Sequence, residues 1–258
     1  MAFFKMNYYS KALGMRVALN VQLPEQAKEN PVPGGIEGSY KTLYLLHGLT
    51  NNHTDWMRRS SIERYAEDYQ LAVVMPEVGR SWYTDTAFGA KYFTFVAEEL
   101  PKVCRSYFKG MSDKREDNLI AGLSMGGYGA FKIALTYPER FGACAALSGA
   151  LDITRLDGVM PLNEWRGIYG FDLNSMTEVK GSDQDVFALT RKRKAEGVSF
   201  PKMYFWCGTE DVLIGTNRDY RDLLTKLGIA HTFEETPGDH TWKCWDVYIR
   251  NALQCLLG

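Results

Sequence analysis

The order of apolar segments along the chain predicts an α/β protein with a mostly parallel central sheet and helices on both faces of that sheet. Two observations predict this class. Short apolar runs of four or five residues lack alternation, as strands do when both of their faces are covered. Stretches with helical periodicity separate most of these runs, which is the order found in parallel α/β sheets.

Each predicted element has its own signal. Residues 16–23 alternate between apolar and polar side chains and end at Pro24, which indicates an early antiparallel strand at the edge of the sheet. Residues 232–236 indicate a weaker strand, because two glutamates interrupt it. The continuous apolar runs predict strands at 42–46, 71–75, 119–122, 144–147 and 203–207. Helical periodicity predicts helices at 54–69, 92–108, 125–137, 216–227 and 242–257.

Composition excludes several classes of protein. The 258 residues are 45% hydrophobic and 24% charged, which suits one globular domain spanning residues 1–258. A formal net charge of −1 gives no general attraction to nucleic acid or to an anionic membrane, and the basic residues 191–194 fit a solvated helix end. Five cysteines without regular spacing, with no signal peptide or membrane span, predict a reduced protein of the cytoplasm.

One long segment interrupts the alternation of strands and helices. Residues 149–200 contain no clear strand and are rich in glycine, aspartate, serine and aromatic residues. A connection of this length inside a compact domain is usually functional. Because this segment follows a predicted strand and lies close in sequence to a candidate catalytic residue, we expect it to be an insertion near the active site that forms a lid or a pocket wall.

The motif GLSMG at residues 122–126 fits G-x-S-x-G, and its context is informative. An apolar run precedes it and a helical stretch follows, so Ser124 is expected at a strand-to-helix turn. Such a turn projects the hydroxyl above the carboxyl edge of the sheet, beside the positive end of a helix. This is the position of the nucleophile in the α/β-hydrolase fold, and a serine nucleophile needs a base.

The base is selected among four histidines. In an α/β-hydrolase the chain order is nucleophile, acid, histidine, so His47 and His53 are too early. His231 begins a predicted strand, where its side chain packs or faces solvent. His240 lies in a turn-rich loop between the last predicted strand and the last predicted helix, where it can reach Ser124. We therefore expect His240 to be the base.

The orienting acid and the oxyanion hole follow from the neighbouring loops. Glu210 and Asp211 both end the strand at 203–207, and spacing favours neither strongly, whereas Asp239 ranks lower because it adjoins the histidine. The His-Gly pair at the end of the strand 42–46 lets a backbone N–H turn toward a developing oxyanion. The N–H of Met125 is the expected second donor. No compact ligand cluster indicates a metal, and no cofactor is expected.

Four aromatic residues are expected to form walls of the substrate pocket. Trp56, Trp82, Tyr83 and Trp165 follow or lie in loops near the carboxyl edge of the predicted sheet, where open α/β sheets bind ligands. Core packing is the competing interpretation of each ring. Aromatic walls suit sugar faces or phenolic acids.

The chain resembles the esterase D superfamily, and within it the tributyrin esterases, which are EstA-like short-chain carboxylesterases. The segments that carry the resemblance are LLHGL (45–49), GLSMGGYGA (122–130), CGTED (207–211) and GDHTW (238–242), with further likeness at 8–10, 82–86 and 97–101. The resemblance implies Ser124 as nucleophile, Asp211 as acid and His240 as base. It also implies Leu49 and Met125 as the backbone donors of the oxyanion hole.

What the resemblance implies for function is a serine carboxylesterase that hydrolyses acetyl to butyryl esters, including those of acetylated sugars. Feruloyl or cinnamoyl esterase and S-formylglutathione hydrolase activity are the alternatives from the same superfamily. An acyltransferase and a non-catalytic binding scaffold are more distant alternatives. The expected partner is a small-molecule ester, with no nucleic acid or membrane involved, and the sequence leaves homo-oligomer formation open.

Overall fold

The computed structural model describes residues 1–25, 39–170 and 172–258. Within these ranges the strands form an eight-stranded mixed sheet in the order β1-β2-β4-β3-β5-β6-β7-β8. Strands β1, β2 and β4 pair antiparallel, and all pairs from β4 through β3 to β8 are parallel. In chain order they are β1 (Ala2–Ser10), β2 (Met15–Leu23), β3 (Thr42–Leu46), β4 (Ala72–Pro76), β5 (Asn118–Leu123), β6 (Ala143–Leu147), β7 (Lys202–Gly208) and β8 (Thr232–Thr236).

The sheet confirms the predicted fold class and the predicted antiparallel edge. It also contains a strand that the sequence analysis did not predict. Strand β1 pairs with β2 along its whole length, from Ala2 opposite Leu23 to Ser10 opposite Met15. Its sequence AFFKMNYYS does not alternate, because apolar side chains occur on both of its faces and several of them are exposed. Alternation is lost when neither face of a strand is uniformly buried or solvated.

The helices connect the strands and cover both faces of the sheet. They are α1 (Asp55–Arg59), α2 (Ile62–Asp68), α3 (Tyr92–Thr94), α4 (Leu100–Tyr107), α5 (Met125–Thr136), α6 (Leu162–Tyr169), α7 (Val186–Ala195), α8 (Ile214–Lys226) and α9 (Trp242–Leu257). A π-helical turn at Phe95–Glu99 joins α3 to α4, so the helix predicted at 92–108 is continuous. None of the helices in the described ranges combines the length and apolarity that crossing a membrane requires.

The helix predicted at 54–69 is interrupted between α1 and α2. Ser60 adopts an extended backbone, and its hydroxyl donates to the carbonyl of Trp56 at 2.6 Å. The next residue, Ser61, donates its backbone N–H to the Asp246 carboxylate of α9 at 2.7 Å. Serine hydroxyls that bind nearby carbonyls compete with the helical hydrogen-bond pattern, which explains the break at this serine pair.

Two hydrophobic clusters lie on opposite faces of the sheet, and this explains why the interior strands lack alternation. In β3, Tyr44 and Leu46 belong to one cluster, whereas Leu43 and Leu45 belong to the other. Helix α5 packs in the first cluster, and α9 packs in the second. Because every position of β3 is buried, apolar side chains follow one another from Leu43 to Leu46 without alternating with polar ones.

Residues 149–200 leave the sheet after β6 and return at β7. Their described part contains α6, α7 and two 3₁₀ turns, at Ile153–Arg155 and Met176–Val179, and no strand. The Asp157 carboxylate links the two turns by accepting the backbone N–H of Met176 at 2.6 Å. Helix α7 begins with an N-cap, because Asp185 accepts the N–H groups of Phe187 and Ala188. The segment is therefore a helical layer added beside the sheet.

Candidate active site

Ser124 occupies the turn between β5 and α5, and its backbone is strained. Its φ of +52° lies in the left-handed region that residues other than glycine rarely adopt. Gly122 and Gly126 make the turn sterically feasible. A Cβ atom on Gly122 would lie 2.5 Å from the backbone of Gly126, and one on Gly126 would lie 2.5 Å from the carbonyl oxygen of Leu46. The flanking glycines of the motif are therefore required by close backbone packing.

The structure brings Ser124, His240 and Asp211 together. The Oγ atom of Ser124 lies 3.1 Å from Nε2 of His240. Nδ1 of His240 lies 2.9 Å from Oδ2 and 3.1 Å from Oδ1 of Asp211. Asp211 follows β7, and His240 lies in the loop between β8 and α9, so three loops at the carboxyl edge of the sheet supply the three side chains.

The competing acid and base residues lie elsewhere. Glu210 accepts the backbone N–H of Gly238 and thereby holds the histidine loop from outside. Asp239 accepts the Thr241 hydroxyl. His231 places Nδ1 2.8 Å from the carbonyl oxygen of Ile229, at the opposite end of β8 from the loop that carries His240. None of these three side chains has a hydrogen bond to Ser124 within the described part of the chain.

Asp211 is held as a carboxylate by the groups that surround it. Burial by itself raises its pKa, but the hydrogen bond and positive charge of His240, followed by the N–H of Leu213 and the Ser148 hydroxyl, outweigh burial and lower the pKa. Ser148 is completely buried, and its Oγ accepts the indole N–H of Trp245 at 3.0 Å. The Trp245 ring also packs edge-on against the His240 imidazole, with centroids 5.0 Å apart. Trp245 therefore supports both members of the acid–base pair.

The loop after β3 is fixed by three hydrogen bonds. Nδ1 of His47 lies 2.8 Å from the carbonyl oxygen of Gly48, and Nε2 of His47 accepts the backbone N–H of Val78 at 3.2 Å. The Tyr83 hydroxyl donates to the carbonyl oxygen of His47 at 2.8 Å. In the described chain, the N–H of Leu49 has no hydrogen-bond partner. These hydrogen bonds hold the loop in place as far as Leu49, whose N–H group remains available.

A second N–H group lies at the start of α5. Met125 is the first residue of that helix, and the first N–H groups of a helix have no intrahelical acceptor. The same helix end carries a partial positive charge, which favours an anion. Leu49 and Ser124 line the same cavity, and Met125 follows Ser124 directly. The two N–H groups are thus available to bind an oxygen that becomes negative.

A cavity of about 710 Å³ opens over Ser124 and His240. On one side it is bounded by Asn51, Arg59 and Lys243. Ala150, Leu156 and Val159 of the segment 149–200 line this cavity. The other apolar residues that line the cavity are Leu49, Trp82, Leu123, Val212, Leu213, Trp242 and Trp245.

Of the four aromatic residues expected in the pocket wall, the structure places only Trp82 on the cavity. Trp56 lies in the core, where its indole N–H donates to the carbonyl oxygen of Leu46 at 3.0 Å. Tyr83 is fully buried against the His47 loop, and Trp165 is fully buried behind Trp82 with ring centroids 5.1 Å apart. These three rings therefore pack in the core and do not line the cavity. Sequence reasoning missed Trp242, although its position two residues after His240 was an available signal.

His47 and His53 both lie beside the carboxylate of Glu77. Nδ1 of His53 lies 2.9 Å from Oε2 of Glu77, and Nε2 of His47 lies 3.6 Å from Oε1. Burial alone raises the pKa of Glu77, but the adjacent imidazoles of His47 and His53 and the hydrogen bond from the N–H of Gly79 outweigh burial and lower the pKa. Across residues 1–25, 39–170 and 172–258, no group of three or more His, Cys, Asp or Glu side chains is arranged to hold a metal.

A buried carboxylate, an imidazole and a strained serine in hydrogen-bonded series at the carboxyl edge of a parallel sheet define a serine hydrolase of the α/β-hydrolase fold. The putative-esterase family matches residues 10–255, and the chain belongs to that family. It is a carboxylic ester hydrolase.

Similarity to individual proteins covers the whole chain. An acetyl esterase of Caldicellulosiruptor saccharolyticus is 38% identical over 264 aligned positions, which cover 98% of this chain and 97% of the relative. FphF, a fluorophosphonate-binding serine hydrolase of Staphylococcus aureus solved with substrate bound, is 37% identical, with a TM-score of 0.89 over 100% of this chain and 98% of its own. The S-formylglutathione hydrolase FrmB of S. aureus is 34% identical, with a TM-score of 0.84 and coverage of 100% and 99%.

Proposed function

We propose that this esterase hydrolyses short-chain acyl esters, from acetyl to butyryl, through an acyl-enzyme on Ser124. The observation that carries the proposal is the continuous hydrogen-bond series from Asp211 through His240 to Ser124 at the floor of an open cavity. The 38% identity to an acetyl esterase supports the short acyl group. A cytoplasmic location accompanies the proposal, since all five cysteines are unpaired.

The proposed reaction has two acyl-transfer steps. In the first, Oγ of Ser124 attacks the ester carbonyl carbon while Nε2 of His240 takes the hydroxyl proton. The protonated imidazole then gives that proton to the departing alcohol oxygen. In the second step water attacks the acyl-enzyme with His240 again as base, which releases the carboxylic acid and restores the serine. Asp211 stabilises the imidazolium in both steps, and its lowered pKa keeps it charged for that role.

The carbonyl oxygen becomes negative in both tetrahedral intermediates. We propose that the N–H groups of Leu49 and Met125 stabilise this oxygen. Their support is the free N–H of the rigid His47 loop and the helix N-terminus beside Ser124. Removal of one such donor costs serine hydrolases about a hundredfold to a thousandfold in kcat. Both donors belong to the backbone, so their positions depend on the residues that hold the two loops.

The proposal is tested with p-nitrophenyl esters from acetate to octanoate. We expect kcat/KM to be highest from acetate to butyrate and to fall for longer chains. Ser124→Ala should lower kcat by three or more orders of magnitude. Ser106→Ala, a change of an exposed serine in α4, is the matched control and should leave kcat unchanged. A Ser124→Ala enzyme that keeps a tenth of the normal rate would refute the nucleophile assignment.

Two related substrate classes are distinguished in the same experiment. S-formylglutathione and methyl ferulate are assayed beside the acetate ester at equal concentration. A kcat/KM for either that exceeds the acetate value tenfold would replace the short-acyl proposal with the corresponding alternative. Product analysis with an added alcohol separates hydrolysis from acyl transfer, because transfer yields a new ester.

A further inference from the structure

The two edges of the sheet differ in how they are protected against pairing. The edge strand β8 has five residues, and its Glu234 and Glu235 are charged, with Glu235 paired to Arg218 at 2.9 Å. The other edge strand, β1, has nine residues and a single charged side chain, Lys5. Within the described ranges, β1 pairs only with β2, so its outer row of backbone N–H and C=O groups is unpaired. A long edge strand with only one charged side chain is poorly protected against pairing with another strand.

Apolar side chains are exposed along the same edge. Phe3 and Phe4 are each 41% exposed, and Tyr9 is 59% exposed. These rings lie on both faces of β1, because neighbouring side chains of a strand alternate. Beside the Phe4 face, Phe108 packs on Phe4 with centroids 5.4 Å apart, and the preceding Tyr107 is 65% exposed. Exposed apolar side chains on both faces of a free edge indicate a surface that is covered by a partner.

The sequence of β1 is complementary to itself when two copies run antiparallel. A two-fold axis at Met6 places Phe3 opposite Tyr9 of the second copy and Phe4 opposite Tyr8, so that aromatic side chains form cross-strand pairs on both faces. Lys5 then lies opposite Asn7. An axis one residue earlier would place the two lysines opposite each other, which is unfavourable.

We propose that β1 pairs with β1 of a second copy of this chain about a two-fold axis at Met6, which joins two eight-stranded sheets into one continuous sheet. The pairing is isologous, as in most closed dimers. The exposed rings of Phe3, Phe4, Tyr9 and Tyr107 offer about 400 Å² per copy. With the paired backbone added, the total approaches the roughly 1,200 Å² of the smaller stable interfaces.

This interface is remote from the candidate active site. Strands β2, β4 and β3 lie between β1 and β5, the strand that ends at Ser124. Dimer formation therefore leaves both cavities open. Variants in β1 that separate the copies should keep the esterase rate, so a failure of this proposal is distinguishable from a failure of the catalytic assignment.

The register gives a sharp test by cross-linking. Directly opposed residues of an antiparallel pair have Cα atoms 4.5 to 5.5 Å apart, which a disulfide can bridge. In a Met6→Cys variant the two introduced thiols face each other across the axis, and we expect a disulfide-linked dimer under mild oxidation. In the control Asn7→Cys the two Cα atoms are about 8 Å apart, beyond the reach of a disulfide. The unaltered chain, treated identically, reports any linkage through its own five cysteines.

Light scattering during size exclusion supplies the second measurement. At tens of micromolar we expect a mass of twice 29.3 kDa for the unaltered chain. The double variant Phe3→Lys/Tyr9→Lys should run as a monomer, because it places a lysine opposite another lysine on one face of the interface. A monomeric unaltered chain, a double variant that remains dimeric, or a dimer in which Asn7→Cys cross-links and Met6→Cys does not would each overturn the proposal.

Discussion

Lys132 is a buried cation that forms no ion pair with a carboxylate of the described residues, and its burial predicts a pH dependence of stability. It lies in α5, is 2% exposed, and donates from Nζ to Thr84 Oγ1 at 2.7 Å and to Gln184 Oε1 at 2.6 Å. The rings of Phe93 and Tyr128 lie 5.3 and 5.2 Å from the ammonium. Burial lowers the pKa of Lys132 to about 7, although the charge of Asp85 opposes this shift.

The sign of the effect follows from proton binding in the two states. Between the pKa of about 7 in the folded protein and the ordinary value of 10.5, the unfolded chain binds more protons at Lys132 than the folded protein does. The contribution of this residue therefore makes the free energy of unfolding rise with pH in that window. From pH 7.0 to 8.5 the increase is roughly 1.5 kcal/mol, which corresponds to about 3 to 6 °C in Tm for a chain of this size.

The assay is thermal unfolding at pH 7.0 and 8.5 in buffers of equal ionic strength. Thiols of the unfolded chain begin to titrate below pH 8.5, but this contribution is common to the proteins compared and cancels in the difference between them. Lys132→Met should abolish the Lys132 contribution, so Tm should rise between the two pH values by about 3 to 6 °C less than in the unaltered protein. Lys102→Met, a change of an exposed lysine in α4, should retain the full rise. If Lys132→Met and Lys102→Met show the same rise, the reasoning is refuted.

Three further substitutions test the supports of the site. Ser148→Ala removes the hydroxyl that helps to lower the pKa of Asp211 and should lower kcat about tenfold in ester assays without raising KM, whereas a change in KM alone would contradict a positioning role. Tyr83→Phe frees the carbonyl of His47 and should lower kcat severalfold and the unfolding free energy by about 1 kcal/mol, as measured by rates and by urea unfolding. Gly122→Ala places a Cβ 2.5 Å from backbone atoms and should lower the unfolding free energy by about 3 kcal/mol or more. Its control is Gly167→Ala, at a helical position with open space, which should be neutral or stabilising; equal Tm values for the two variants would contradict the packing argument.

The interior strands and helices were predictable because a strand that is buried on both faces has a continuous run of apolar residues, which the sequence shows directly. The run at 119–122 lies inside the observed β5 (Asn118–Leu123), and the helix at 125–137 ends one residue beyond the observed α5 (Met125–Thr136). Strand β1 was not predictable in this way, since its apolar side chains stay exposed on both faces. The break at Ser60 was equally hidden, because it depends on Asp246 in a distant helix.

For the site, chain order was more informative than residue type. Ser124, Asp211 and His240 each follow a strand of the parallel sheet, and carboxyl ends of parallel strands meet at one edge, so their proximity was predictable. Which aromatic residues line the cavity was not predictable from chain order. Trp56 lies in the short helix α1, Trp165 in α6 and Trp242 at the start of α9, and only tertiary packing decides that the first two are buried and the third lines the cavity. Helices of five and eight residues, such as α1 and α6, are shorter than the window in which a sequence displays hydrophobic periodicity.

The openness of the catalytic cavity bears on the fate of the acyl group. A volume of about 710 Å³ accommodates roughly twenty water molecules at about 30 Å³ each. In the proposed mechanism, an acyl group on Ser124 would therefore lie in a cavity with room for solvent. An alcohol that competes for that acyl group has to displace several waters and find contacts of equal quality on the walls. On the proposed mechanism we therefore expect each catalytic cycle to release a free acid, whereas synthesis of a new ester would require an acceptor that binds in the cavity.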